Sequence, residues 1–244
     1  MKRLVPVAAF VQRLLVDIAC RIDATEVSGV QAHGPLIVVA NHINAIEIPI
    51  FLSYLYPRPV SGMAKIESWQ NPIFRLLYSI YHIVPVRRGE GDLHAVKLCL
   101  ERLAEGYILS VAPEGTRSRT GQLLQGRPGV ALLAVKSGAP VQPIAHYGGE
   151  NMWKNLLRFK RTPLKLNVGS AFTIDLHGER MNKAVSQQIT DEIMWQIAAL
   201  LPPFYRGHYS NLEQATEKYL KFENGAESNL HRAPHMDRVL PAVA

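Results

Sequence analysis

Apolar positions along this chain follow two alternating spacings. Near the start, Val7, Phe10, Val11, Leu14, Leu15 and Ile18 recur at intervals of three, four and seven, the spacing of one helical face. Further on, Leu36 to Ala40 is a short, continuous, largely β-branched run behind Gly34-Pro35, which predicts a buried strand. Ile83–Val86, Tyr107–Val111, Val141–Tyr147 and Leu164–Gly169 have the same character. Helical spacing returns between them. Asn71-Pro72 reads as a cap and first helical residue, with Ile73, Leu76, Leu77 and Ile80 as the apolar stripe behind it. Asp92 caps a helix carrying Leu93, Val96, Leu100 and Leu103 and closed by Gly106. Gly129–Ser137 is a short apolar helix ended by Gly138, and Asn182 opens one that runs to Pro202-Pro203. This alternation predicts an α/β fold: a mixed, largely parallel central sheet flanked by helices, with an N-terminal amphipathic helix. Periodicity fades past Tyr209. The expected division is a helix in 1–22, one α/β domain in 23–209 and a loosely ordered tail in 210–244.

Composition narrows the picture. The 244 residues are 48% hydrophobic and 19% charged, which excludes disorder for most of the chain. A charged fraction below the roughly 25% of an average soluble protein points to a partly greasy surface. A net charge of +7 asks for an acidic partner: nucleic acid, an anionic membrane or a phosphorylated substrate. Cys20 and Cys99 lie far apart with no Cys-x-x-Cys and no histidine cluster, so two reduced, packed thiols are expected rather than a disulfide or a zinc site. Met1-Lys2-Arg3 before an apolar stretch has the opening of a secretory leader. Gln12, Arg13 and Asp17 interrupt that stretch, however, and Leu4–Val11 falls far short of the roughly 20 residues that span a bilayer. Two readings of this helix stand, packing against the core or lying in a membrane interface. No other window offers a span, since Ile48–Pro57 contains two prolines.

Candidate chemistry gathers at predicted strand ends, where open α/β sheets bind ligands. There is no Gly-x-Ser-x-Gly elbow, Walker loop, Gly-x-Gly-x-x-Gly or His-Glu-x-x-His. After the first of these strands comes Asn41-His42, with Glu47 five residues beyond the histidine. A general base held by an orienting acid fits that spacing; a helix-capping Asn and a satisfied histidine fit it too. After the third comes Pro113-Glu114-Gly115-Thr116-Arg117-Ser118-Arg119, a turn rich in backbone N–H groups, hydroxyls and guanidinium, which suits a phosphate. Pro85-Val86-Arg87-Arg88-Gly89 is another basic strand end, and Lys65, Glu67 and Arg127 add charge at comparable places.

In this order, these blocks resemble the 1-acylglycerol-3-phosphate acyltransferase (lysophosphatidate acyltransferase) family of glycerophospholipid acyltransferases. Its Asn-His-x-x-x-x-Asp motif, Arg block, Pro-Glu-Gly-Thr-Arg-Ser block and Pro-Val-x-Pro strand fall at Asn41–Glu47, Pro85–Gly89, Pro113–Arg119 and Pro140–Pro143, and the likeness covers roughly residues 27 to 205. Arg88, next to Gly89, matches the family arginine best, with Arg87 a rival. One departure stands out. The family aspartate is Glu47 here, so Glu47→Asp is expected to keep or raise activity.

The resemblance implies an acyl transfer to the free hydroxyl of 1-acylglycerol-3-phosphate, in phospholipid biosynthesis. His42 and Glu47 would be catalytic; Lys65, Arg88, Glu114, Gly115, Thr116 and Arg117 would bind substrate. No bound cofactor or metal is implied. The donor would be an acyl-CoA or acyl carrier protein thioester, and the protein would sit at the cytoplasmic face of a membrane. A thioester is already activated, and none of the serine or cysteine contexts offers a nucleophile. Lys154, Arg158, Lys160, Arg161 and Lys165, interleaved with Trp153, Leu156, Leu157 and Phe159, suit an anionic membrane surface, or else form a solvated hairpin. No nucleic-acid reader motif occurs, so no nucleic-acid partner is expected. Two alternatives remain: another acceptor (glycerol-3-phosphate or a different lysophospholipid), or a non-catalytic lipid-binding protein.

Overall fold

The computed structural model describes residues 4–43, 46–87, 91–222 and 225–232. Arg88 falls outside these residues. In chain order the elements are α1 (Val5–Ala19), β1 (Cys20–Asp23), β2 (Leu36–Ala40), α2 (Glu47–Tyr54), β3 (Val60–Lys65), α3 (Pro72–Ile80), β4 (Val84–Val86) and α4 (Leu93–Ala104). They continue with β5 (Ile108–Val111), α5 (Gly129–Ser137), β6 (Val141–Tyr147), α6 (Met152–Leu157), β7 (Thr162–Val168), β8 (Phe172–Ile174), α7 (Lys183–Ala199) and β9 (Leu220–Phe222). The main sheet has the order β1-β7-β6-β2-β5-β3-β4. Among these pairs β6–β7 is antiparallel and the others are parallel, so the expected mixed, largely parallel sheet is the one observed.

β2 lies near the middle of this sheet and is buried along its whole length. Its residues alternate between two cores, as strand geometry requires. Ile37 and Val39 pack with α4, α5 and α7; Leu36, Val38 and Ala40 pack with α1, α2 and the end of α3. Burying each such side chain stabilises the fold by about 1.5–3 kcal/mol. Because β2, β3, β4, β5 and β6 run parallel, their carboxyl ends share one edge. Cys20 and Cys99 are free and buried, and burial pushes their thiols up to about 11 and about 12.

One open reading is narrowed and two expectations change. The apolar stripe of α1 points outward: Val7, Phe10, Leu14, Leu15 and Ile18 are exposed, whereas Ala9, Gln12 and Val16 are buried. Gln12 is held there by Tyr81, whose hydroxyl donates to its Oε1 at 2.7 Å. Likewise, in α3 only Ile80 of the expected stripe is buried, and Ile73 and Leu76 face outward beside Phe74. Finally, residues 210–232 are not a loose tail in their described part. Glu192, buried in α7, accepts from the backbone N–H of Lys218 and Tyr219 at 3.0 and 2.9 Å, and Gln196 accepts from that of Asn229 at 3.0 Å. β9 then pairs with β8. These hydrogen bonds, together with Tyr219 in the core and Leu220, Phe222 and Leu230 packed against it, hold this segment.

Candidate active site

β2 ends at Ala40, but its pairing with β6 continues through a side chain. The Asn41 amide donates to the His146 carbonyl at 2.9 Å and accepts from the His146 N–H at 2.9 Å. Asn41 thus imitates one more step of backbone ladder instead of capping a helix. His42 is the next residue, so it leaves the rigid end of the strand at a fixed angle. Glu47 is the first residue of α2. There the positive end of the helix dipole favours its carboxylate.

The five-residue spacing folds the chain so that His42 Nδ1 hydrogen-bonds Glu47 Oε1. Nδ1 therefore carries the proton, and exchange with a substrate falls to Nε2. The second oxygen of Glu47 lies 2.9 Å from Nε2 of His146, a fully buried residue on β6. Burial holds the His146 imidazole below its ordinary pKa, favouring the neutral form.

A second loop is tied to the first. Glu114 is buried, and its two oxygens accept from the backbone N–H of His42 at 2.7 Å and of Leu124 at 2.8 Å. The Ser118 N–H donates to the His42 carbonyl at 2.8 Å. Glu114 therefore holds the His42 loop in place through backbone bonds on both of its oxygens. Burial outweighs its two backbone bonds and pushes the carboxyl up to about 7. Gly115 closes the turn with φ +67°, a conformation side chains disfavour, and a Cβ there would come within 3.0 Å of Arg127 Cδ.

Two cavities meet at His42. One is apolar, about 80 Å³, and lined by Glu47, Phe51, Leu52, Val60, Met63 and Tyr78 among others. The other, about 310 Å³, is lined by Lys65, Arg87, Gly115, Arg127 and Gly129. Gly129 is the first residue of α5, so backbone N–H groups of a helix N-terminus border the cationic cavity. Lys65 and Gly115 thus line the same cavity as His42. Thr116 is half-buried and Arg117 exposed, and neither lines these two cavities. Arg87, the rival to Arg88, lines the cationic one together with Arg127. His146 was missed from sequence, although a histidine within the apolar run of β6 was a signal of its own. No cluster of three or more metal-ligating side chains occurs among the described residues.

The acyltransferase family profile matches residues 21–147, more than half of the chain and the whole of the His42 site. The chain belongs to the acyltransferase family. Among its acyltransferase relatives, the 1-acyl-sn-glycerol-3-phosphate acyltransferase of Cocos nucifera is 28% identical over 169 residues, 67% of this chain and 53% of that protein. The lyso-ornithine lipid O-acyltransferase of Pseudomonas aeruginosa is 32% identical over 120 residues, 49% of this chain and 45% of that one. The chain spans about half the length of these two relatives. The crystal structure of the 1-acyl-sn-glycerophosphate (LPA) acyltransferase of Thermotoga maritima shares the fold, with a TM-score of 0.58 at 21% identity over 81% of this chain and 80% of the other.

Proposed function

We propose that this acyltransferase moves a fatty acyl group from a thioester, acyl-CoA or acyl carrier protein, to the free hydroxyl of 1-acylglycerol-3-phosphate, giving phosphatidic acid. The observation that carries this reading is the place of His42 between an apolar and a cationic cavity. A lysophosphatidate is amphiphilic in the same sense. Its phosphate suits Lys65, Arg87, Arg127 and the N-terminus of α5, and an acyl chain suits the walls formed by Phe51, Leu52 and Val60. His42 Nε2 takes the hydroxyl proton as that oxygen attacks the thioester carbon, and Glu47 stabilises the imidazolium that forms. The tetrahedral intermediate then collapses, the C–S bond breaks, and the thiolate takes the proton back from His42. Holding both reactants beside the base contributes on the order of 7–11 kcal/mol in well-oriented systems.

The same reading seats the protein on the cytoplasmic face of an anionic membrane. The outward stripe of α1, the exposed Ile73, Phe74 and Leu76 of α3, and the exposed Trp153, Leu157 and Phe159 beside Lys154, Arg158 and Lys160 support this reading. Arg161 and Lys165 contribute less to this surface than the sequence suggested. The Arg161 fork is engaged on the Cys20 carbonyl, and Lys165 lies 4.0 Å from Asp23. No helix among the described residues is long and apolar enough to cross a membrane.

Thiol release from acyl-CoA and from acyl carrier protein, measured with a panel of acceptors, tests the reading. Release that requires 1-acylglycerol-3-phosphate and falls about 100-fold or more in His42→Ala is expected. Release supported instead by glycerol-3-phosphate or a lyso-ornithine lipid would reassign the acceptor. No release with any pair would leave a lipid-binding protein.

A further inference from the structure

We infer that His146 is a positioning residue of the acyl-transfer site, the second of two imidazoles spanned by the Glu47 carboxylate. The inference rests on the acyltransferase reading and adds a residue to its machinery. His146 Nε2 lies 2.8 Å from the Asn41 carbonyl oxygen and 2.9 Å from Glu47 Oε2. Both neighbours are acceptors, so the ring proton sits on Nε2: it donates to the Asn41 carbonyl, and its positive edge faces Glu47 Oε2, a buried oxygen with no hydrogen-bond partner of its own. His146 Nδ1 is buried with no hydrogen-bond partner, so nothing pulls the tautomer the other way. His146 thus grips the loop on both sides of His42: Asn41, the residue before it, and Glu47, the residue that orients it.

This also accounts for the extra methylene at position 47. With its backbone fixed at the first turn of α2, a glutamate reaches both imidazoles. An aspartate there can keep His42 but falls short of His146. The expectation that Glu47→Asp preserves or raises activity is therefore reversed in this chain. Electrostatics gives the sign. The positive Nε2–H edge of His146 beside Oε2 offsets part of the carboxylate charge, which lowers the pull of Glu47 on the His42 proton. Losing that donor makes His42 a stronger base, locked more tightly to its own proton. Other charged or titratable groups around the trio are Glu114 after β5, Glu150 after β6, and Lys65, Arg87 and Arg127 at the cationic cavity.

Three variants test this: His146→Leu, which removes the donor; His146→Gln, which restores an amide N–H; and Glu47→Asp, which leaves β6 untouched. His146→Leu and Glu47→Asp are expected to lower kcat by roughly 10–100-fold with little change in KM. The acidic limb of the pH profile, and the His42 pKa followed by NMR, should both move up. His146→Gln should return most of kcat and the wild-type pH limb. Adding His146→Leu to Glu47→Asp should cost less than the product of the two single losses, the remainder being the bond to the Asn41 carbonyl. The inference is overturned if His42 titrates identically in wild type and both donor-loss variants, or if the two losses simply add. The NMR titration requires no turnover, so an inactive wild type would count against the proposed reaction while leaving this geometry testable.

Discussion

Glu114→Gln probes the strut that joins the two halves of the site. The wild-type carboxylate accepts one backbone N–H on each oxygen, from His42 and Leu124. Glutamine keeps one acceptor and turns an NH2 toward the other donor, leaving a buried N–H without a partner at a cost of about 1–3 kcal/mol. Burial acts in the opposite sense, raising the folded-state pKa to about 7 from an ordinary 4.5. For a carboxyl raised in this way, stability is complete below the unfolded pKa and is lost as the pH climbs through the folded one. The loss amounts to roughly 3 kcal/mol. Glutamine does not titrate. The lead of wild type over E114Q should therefore be largest near the lower of these two pKa values. It should shrink as the pH rises through the upper one and be nearly gone above it. Urea unfolding in steps across this window measures that lead directly. A lead that stays constant or widens with pH refutes the reasoning, because the two backbone bonds would then outweigh burial and keep Glu114 ionised throughout. Because Glu114 holds the His42 amide itself, kcat should fall roughly 10–100-fold at every pH in the same variant.

Other expectations are simpler to read. Gly115→Ala should destabilise the protein by about 1–2 kcal/mol for its positive φ and displace Arg127, seen as a lower Tm together with a raised acceptor KM. Lys65→Met and Arg127→Met should each raise the KM for a phosphate-bearing acceptor about tenfold or more while leaving the thioester KM unchanged, which steady-state kinetics with either substrate varied will show. Phe10→Glu with Leu15→Glu should leave Tm almost unchanged, since both side chains are exposed, yet abolish co-sedimentation with vesicles rich in anionic lipid. Vesicle binding at the wild-type level would sink the membrane reading of α1.

The β2, β5, β6 and β7 segments were legible because buried parallel strands are continuous apolar runs, and α3, α4 and α7 because Asn71, Asp92 and Asn182 announce their own starts. β1, with its charged Arg21 and Asp23, and α2, with Pro49 in its first turn, have no such signature. The direction of the α1 stripe could not be read from periodicity, since a face turned to lipid and a face turned to protein have the same spacing. At the site, the His42–Glu47 pair was visible because its spacing is local. His146 reaches the same carboxylate from a strand about a hundred residues away, a relation that only the parallel pairing of β2 with β6 creates. Glu114 was recognised by its motif, but its two backbone partners were not, because a carboxylate in a basic turn reads the same whether it faces a ligand or two backbone amides.

The junction between Ala19 and Cys20 has a mechanical consequence. The helix ends and the strand begins with no residue between them, and β1 is locked to β7 by pairing and by the Arg161 fork on Cys20. The buried side of α1 packs on α2, whose first residue is Glu47. A lipid-seated α1 would therefore act as a keel rather than a tether. The height and tilt of His42 above the headgroups would be set by the fold, and a lipid substrate would meet the base at one fixed depth instead of waiting for a floating domain to find it.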